Sequence, residues 1–404
     1  MNPYLYCKPN DITEAQAKDF EQKVLDLAPQ HVRIFYLQRW FNGTEDPISK
    51  GDPKTADSFI RTCRLAQKAG ATINVTNWYG PWVDVPRQMN EFADTLHRLI
   101  IDEKITAIRY LTVQNEPNLH EDKIKKDLYA NLYRNLDAAL RKNGLRDKLK
   151  IVSGDLVQDN QQEWFAMLGN DLSKISDGYS IHAYWDYWDT PKITRRLRLP
   201  REIVDALPPA QQRPLFITEF GVRGHRPEQQ VEPGTHEDGT PIADKPLQAN
   251  QLAQFILGAL NRGYVAGAIW TLEDAWYDRL MPYGLIGQAK DGWPLKPGYH
   301  MVKLLTHTTH PGWRALKIEG ESEGKILAAT RGPKGELTLY ALNTTESPTS
   351  ASLAGLPAGA TFHVTRWNAD GRGTLSNLPD VTIAPTGAIN LQLAPMELIA
   401  LTTQ

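Results

Sequence analysis

Tyr110-Leu-Thr-Val-Gln-Asn-Glu116-Pro-Asn118 is a short apolar run, partly β-branched, that closes on a carboxylate. Leu215-Phe-Ile-Thr-Glu219-Phe-Gly221 repeats the pattern further along the chain. A continuous apolar run of this length reads as a parallel strand buried on both faces. The acid then stands at the carboxyl end of its strand, the end at which a (β/α)8 barrel assembles its functional groups.

Working outward from these two runs, apolar strands alternate with amphipathic stretches from residue 11 to about 310. Thr13 to Leu27 has helical spacing, and His31 to Tyr36 reads as a strand. Helix Lys54 to Ala69 and strand Thr72 to Thr76 follow, with Gly70 as the stop between them. Helix Asn90 to Asp102 precedes the Glu116 strand, and helix Lys123 to Arg141 precedes strand Lys150 to Gly154. Strand Gly178 to Tyr184, a helix around Pro200 to Leu207, the Glu219 strand, helix Leu247 to Asn261, strand Val265 to Thr271 and a helix near Gly298 to Leu305 complete the series. Regular alternation of this kind predicts a parallel sheet with right-handed crossovers. Seven strands are one short of a closed barrel, and the missing one belongs before Thr13. Either Asn2 to Lys8 supplies a stub of it, or it lies before the sequence. Arg223 to Lys245, rich in Gly, Pro and charge, is expected to be a long loop over the functional face.

After about Gly312 the pattern changes. Ile326 to Thr330, Leu337 to Ala341, Thr361 to Thr365, Ile389 to Leu393 and Glu397 to Leu401 are short strands separated by Gly, Pro, Asn and Ser, with no helix between them. Closely spaced strands with turn signals predict an antiparallel sandwich. The expected organisation is a barrel over residues 1–311 and a β-sandwich over 312–404. The bland reading of the sandwich, that it packs on the barrel and stabilises it, is preferred to an independent sugar-binding module. The latter needs an exposed aromatic strip, and Trp367 is nearly alone in this region.

The chain has 404 residues, 41 % hydrophobic, with a formal net charge of −2. That balance argues against capture of nucleic acid, which needs a basic face. The basic run Arg195 to Arg201 is expected to be a solvated loop and helix start. No stretch approaches a membrane span. The N-terminus lacks a charged segment followed by an apolar core, so no signal peptide is expected, and the localisation stays open between cytoplasmic and secreted. Cys7 and Cys63 make neither a disulfide scaffold nor a zinc site. The histidines at 225, 236, 307 and 310 lack ligand spacing, so no metal and no cofactor is expected.

Two carboxylates facing each other across a pocket are the minimum equipment for hydrolysing a glycosidic bond. Asn115-Glu116-Pro117, Glu219, Arg33 on the His31 strand, His182-Ala-Tyr184 and Trp270 together resemble clan A of the glycoside hydrolases, the (β/α)8 retaining enzymes, nearest to families 39, 5 and 30. The resemblance spans roughly residues 30 to 275. It implies that Glu116 is the general acid/base and Glu219 the nucleophile. It also implies donors to Glu219 from Arg33 and Tyr184, a supporting His182, and an Asn115 that donates to the sugar 2-hydroxyl. The acid is expected to have a raised pKa and the two carboxyl groups to lie about 5–5.5 Å apart.

Aromatic residues at or beyond strand ends form a second signal. Trp78, Tyr79 and Trp82, then Trp185, Tyr187 and Trp188, then Trp270 and Trp276 stand where loops form the mouth, and Trp78, Trp185 and Trp270 are the expected sugar platforms. The implied partner is an oligo- or polysaccharide, with an equatorial bond such as a β-glucan, xylan or β-xyloside linkage favoured and L-series glycosides open. Oligomeric state is not legible. A carbohydrate-binding barrel without activity and a transglycosylase using the same covalent intermediate are the alternatives. A lyase or aldolase would need a Schiff-base lysine or metal ligands at strand ends.

Overall fold

The structure is a computed structural model; it describes every residue except 11, 44–47, 50, 79, 158, 160, 225–233, 277–279, 321–322, 370–372 and 404, and the side chain of Trp276. Seven parallel strands form one sheet in sequential order: β1 (His31–Tyr36), β2 (Thr72–Asn77), β3 (Ile108–Val113), β4 (Lys150–Leu156), β5 (Gly178–Asp186), β6 (Leu215–Arg223) and β7 (Gly267–Ile269). Eight helices surround them: α1 (Glu14–Leu27), α2 (Thr55–Lys68), α3 (Val85–His97), α4 (Lys126–Lys142), α5 (Gln162–Met167), α6 (Pro191–Asp205), α7 (Pro246–Asn261) and α8 (Pro297–Thr308). This is the (β/α)8 architecture with one strand position open.

Local chemistry sets the element ends. Thr13 and Gln16 form a reciprocal capping box that starts α1. Asp84 caps α3, and Pro86 occupies its first turn, where a missing N–H costs nothing. Strands β2 to β6 are buried along most of their length, as parallel strands covered by helices on one face and packed interior on the other must be.

Two expectations are corrected here. Asn2 to Lys8 is not a strand stub; residues 3–10 form turns and a bend. Pro3 and Pro9 withhold ladder donors. The Asn2 side chain accepts from the Tyr4 amide at 2.9 Å and Asn10 donates to the Tyr4 carbonyl at 2.8 Å, which folds the segment on itself. The basic run Arg195 to Arg201 is the interior of α6 rather than a loop. Pro191 starts that helix, the pairs Arg198–Glu202 and Arg201–Asp205 stabilise its surface, and Arg195 and Arg196 pair with Asp159. Both cysteines are buried, and no disulfide joins them.

The small hairpin β8 (Ala275–Trp276) and β9 (Leu280–Met281) follows β7. Beyond α8, all strands are antiparallel: β10 (Arg314–Leu316), β11 (Lys325–Arg331), β12 (Leu337–Asn343), β13 (Thr349–Leu353), β14 (Thr361–Asn368), β15 (Thr374–Thr382), β16 (Ile389–Leu393) and β17 (Leu398–Thr402). A six-stranded sheet in the order β10-β11-β12-β17-β14-β15 faces the pair β13-β16 across a core that includes Leu339, Phe362, Leu391 and Leu401. The other face of the larger sheet lies on the barrel. Trp367 is 0 % exposed and its indole donates to the Pro297 carbonyl at 3.2 Å. Asn250 of α7 donates to the carbonyls of Asn343 and Met396, both at 2.9 Å.

Trp367 is therefore an interface residue. Trp367→Ala is expected to destabilise the protein by about 3–5 kcal/mol, the usual cost of deleting a buried tryptophan. Urea unfolding followed by circular dichroism checks this, and a loss under about 1 kcal/mol would contradict the packing role.

Candidate active site

Glu116, just beyond the end of β3, meets Glu219, which lies within β6. After β3 the chain turns sharply, with Gln114 and Glu116 both left-handed at φ 66° and 47°. Glu116 also precedes a proline, which makes its backbone doubly unusual. The neighbouring strand end holds this turn in place. Gln114 N donates to the Asn77 carbonyl at 2.8 Å, Asn115 N donates to the Trp78 carbonyl at 3.1 Å, and the Trp82 indole donates to the Gln114 side chain at 2.8 Å. Glu219 needs no such turn, because it sits within β6 and its side chain is directed by the strand.

One guanidinium connects the site. Arg33 on β1 is 7 % exposed. Its Nη1 donates to Glu219 Oε2 at 2.7 Å, Nη2 to Asn115 Oδ1 at 2.8 Å and to Asp155 Oδ2 at 2.5 Å, and Nε to Thr76 Oγ1 at 2.9 Å. Tyr184 Oη donates to the other oxygen of Glu219. With Asn115 Oδ1 taken by Arg33, its Nδ2 is the donor left for a ligand. His182 Nδ1 lies 2.9 Å from Glu116 Oε1, and its Nε2 lies 3.5 Å from Asp155 Oδ2. One oxygen of Glu116, one of Glu219 and a ring nitrogen of His182 all fall within 4.8 Å of one another.

Burial alone would lower the His182 pKa. The charges of Glu219 and Asp155, with the hydrogen bond to Glu116, outweigh it and raise it to about 9. Burial likewise pushes Glu116 up, but the hydrogen bond and charge of His182, with Arg33 and Arg223, bring it below the ordinary carboxyl value. This reverses the expectation that the acid has a raised pKa: in the free site the proton rests on the imidazole rather than on the carboxylate it touches. Tyr184 is held far above its usual value by burial and the Glu219 charge, so it remains a donor. Arg223 stacks over the Tyr184 ring at 4.3 Å from its centroid.

Asp155 is a residue of the candidate site that the sequence reading missed. It is 0 % exposed and left-handed at φ 53°. Ser180 Oγ donates to its Oδ1 at 2.9 Å, Thr218 Oγ1 to the same oxygen at 2.5 Å, and its own amide donates back to Ser180 Oγ at 2.8 Å. Burial opposes its charge, yet Arg33 and His182 hold it well below the carboxylate range. Gly154 permits the turn, since a Cβ there would lie 2.2 Å from the Ser180 carbonyl oxygen. The signal was available: Lys150-Ile-Val-Ser-Gly-Asp155 is a third apolar run closed by an acid, and the strand was ended one residue short of it.

The aromatic expectations divide. Phe35, which was not singled out, stacks on Trp78 with centroids 4.6 Å apart and meets Trp270 edge-on at 5.8 Å. The Arg33 guanidinium lies 4.6 Å from the same Phe35 ring. Trp78 and Trp270, both partly exposed, thus stand beside the Arg33–Glu219 pair. Trp185 is corrected. It is 0 % exposed, stacked on Phe255 at 4.8 Å, with its indole donating to Gln251 at 3.0 Å, so it packs against α7. Strand alternation explains the difference, because adjacent residues of β5 point to opposite faces and Tyr184 points inward. Tyr79 and the Trp276 side chain lie outside the described residues, as does 225–233 of the long loop.

Glu116, His182 and Glu219 have a spacing that could bracket a cation, but their chemistry does not fit one. A metal ligand must be deprotonated. His182 holds its proton to about pH 9, and both Glu219 oxygens already accept from Arg33 and Tyr184.

The chain resembles several solved structures along nearly its whole length. A GH51 arabinofuranosidase from Xanthomonas axonopodis pv. citri matches with a TM-score of 0.70 at 14 % identity, over 98 % of this chain and 91 % of that one. A GH30 endoxylanase from Clostridium papyrosolvens C71 matches at 0.68 and 13 %, over 95 % and 92 %. A GH39 enzyme from the same Xanthomonas matches at 0.63 and 16 %, over 99 % and 92 %. At these identities the likeness shows a shared fold, a barrel followed by a β-sandwich. No protein-family model and no curated protein matches the chain.

Because Asp155 faces both Arg33 and His182, Asp155→Asn removes a charge that holds the imidazolium. The His182 pKa is expected to fall from about 9 by at least about one pH unit. An NMR titration of ring-labelled histidine reads this directly; an unchanged value would contradict the electrostatic role of Asp155.

Proposed function

We propose that this chain is a retaining glycoside hydrolase acting by double displacement, with Glu219 as nucleophile and Glu116 as general acid/base. The observation that carries the reading is the carboxylate pair itself: one oxygen of each lies within 4.8 Å of the other. An oxygen–oxygen approach that close supports the roughly 5–5.5 Å carboxyl separation of retaining enzymes over the 6.5–9.5 Å gap in which inverting enzymes lodge a water. The likeness to an endoxylanase and an arabinofuranosidase supports a carbohydrate substrate.

In the first step Glu219 attacks the anomeric carbon while the leaving oxygen takes a proton from Glu116. Arg33 and Tyr184 keep Glu219 ionised and aimed. In the free site that proton rests on His182, 2.9 Å from Glu116 along their hydrogen bond, and Glu116 relays it to the leaving oxygen. As the carboxylate charge of Glu219 is consumed by ester formation, the imidazolium loses one of the two charges that stabilise it, so its proton becomes available when the leaving oxygen needs it. In the second step Glu116 takes a proton from water, the hydroxide attacks the same carbon, and Glu219 leaves as carboxylate. The sugar emerges with its original configuration. Asn115 Nδ2, freed by the Arg33 contact, is the donor to the 2-hydroxyl, and Phe35, Trp78 and Trp270 form an apolar wall for the sugar. An equatorial bond of a β-glucan, xylan or β-xyloside is the favoured target, with an L-arabinoside as the second choice.

Glu219→Ala is expected to lower turnover on a panel of aryl glycosides and glucan or xylan oligosaccharides by at least about a thousandfold. Azide should restore turnover on the aryl substrate and give a glycosyl azide of inverted configuration. Full activity in the variant would contradict the assignment, whereas tight binding without turnover by the unaltered protein would favour a carbohydrate-binding barrel. A second expectation concerns pH. The Glu116–His182 pair of the free site keeps a transferable proton to about pH 9, so the alkaline limb of kcat/KM for poor leaving groups lies near that value and activity falls above it. His182→Asn removes the cation, and the limb should move to the acid side by more than about one pH unit. An unmoved limb would contradict the proton relay.

A further inference from the structure

The cations around the site are matched by acids, with one exception. Arg33 pairs with Glu219 and Asp155, and His182 lies against Glu116. Further out, Lys192 lies 3.5 Å from Asp186, and Arg195 and Arg196 pair with Asp159 at 3.0 and 2.9 Å. Arg223 is exposed, and among the described residues no carboxylate pairs with it. Its register neighbour on β5 is Asp186, whose carboxylate meets Lys192 instead.

Arg223 is nevertheless held in place over the site. Alternation puts Glu219, Gly221 and Arg223 on one face of β6. The Tyr184 ring lies over that face at Gly221, its register partner, where an added Cβ would come 3.0 Å from the Trp270 carbonyl oxygen and 3.4 Å from the ring. The Tyr184 hydroxyl reaches Glu219, and the Arg223 guanidinium covers the ring at 4.3 Å from its centroid. One aromatic ring thus separates this cation from the candidate nucleophile. Its charge is felt on both sides. Arg223 is among the cations that lower the Glu116 pKa, and with Arg195 it adds to the burial that lowers that of Arg196. Arg196 Nε is buried without a hydrogen-bond partner among the described residues. Alongside, the Tyr187 amide donates to the Arg223 carbonyl at 3.1 Å, and Trp188 is 38 % exposed. A neutral sugar offers such a guanidinium only hydroxyl acceptors, much like the water it displaces. A carboxylate offers two oxygens that match the planar fork, and it relieves the like charges of Arg195, Arg196 and Arg223.

We propose that Arg223 is an anion subsite, which receives the carboxylate of a uronic acid residue on or next to the sugar that is cleaved. Arg195 and Arg196 supply a positive field behind it, and Trp188 offers an apolar face to the ring that carries the acid. The inference rests on the glycoside reading of Glu116 and Glu219 and narrows the substrate to acidic glycans.

The test compares oligosaccharides bearing glucuronic or galacturonic acid with their methyl esters, which keep the shape and lose the charge. Binding is measured by calorimetry on the Glu219→Ala variant, so that turnover does not interfere, with and without Arg223→Gln. At least one acid is expected to bind about tenfold or more tighter than its ester, as a charge-assisted hydrogen bond provides. Arg223→Gln should bring acid and ester to within about twofold of each other. Arg223→Lys should recover only part of the preference, because an ammonium lacks the planar fork. Any displacement of Tyr184 in these variants affects acid and ester alike, so their ratio reads the charge. Acids and esters that bind equally or not at all overturn the proposal, as does a preference that survives Arg223→Gln. Tighter binding of a sulfated oligosaccharide than of every carboxylate also overturns it. Failure of the hydrolase reading would appear instead as binding without turnover of any of these glycans by the unaltered protein, and it leaves the acid-to-ester ratio readable.

Discussion

The active-site end of this barrel is organised by the buried guanidinium of Arg33. A planar fork with five N–H donors in fixed directions can hold four acceptors at once, one more than the three donors of an ammonium allow. Here it binds Glu219, Asn115 and Asp155, from the ends of three different strands, and Thr76 from a fourth. An isolated cation at this depth would be costly. The site removes that cost by surrounding it with carboxylates that themselves need a cation to stay ionised.

The same bookkeeping governs His182. It touches Glu116 and approaches Asp155, so two buried cations, Arg33 and protonated His182, face three acids. Each acid then has a distinct environment. Asp155 is enclosed by Arg33, Ser180, Thr218 and His182 and cannot reach a ligand. Glu219 has both oxygens held by donors, while Glu116 is paired with a protonated imidazole. Identical carboxyl chemistry is thereby divided into a fixed counter-ion, a candidate nucleophile and a candidate acid, which is how one pocket supports opposite proton demands.

Much of this was legible in the chain because strand ends carry their own signal. The apolar runs before Glu116 and Glu219 located both acids, and the alternation of strands and helices located the barrel around them. The failures have physical reasons. Asp155 follows a glycine whose extreme backbone turn makes the strand look finished too early. Trp185 is one residue from Tyr184 and therefore points the other way, a parity that aromatic content alone does not reveal. The Glu116 pKa was misjudged because a cation donated by a different strand lies against it, and no spacing in the sequence shows that contact. Asn2 to Lys8 is a candidate strand only by its place before the first helix, and Pro3, Pro9 and the Asn2 cap fold it into turns.

The most direct measurement is to trap the intermediate. Incubation with a 2-deoxy-2-fluoro aryl glycoside of the preferred sugar slows the second step more than the first, and peptide mapping by mass spectrometry then locates the sugar. A single adduct on the peptide containing Glu219, absent after Glu219→Ala, is the expected result. An adduct on another residue, or turnover with inverted configuration and no adduct, would contradict the assignment of Glu219 as nucleophile.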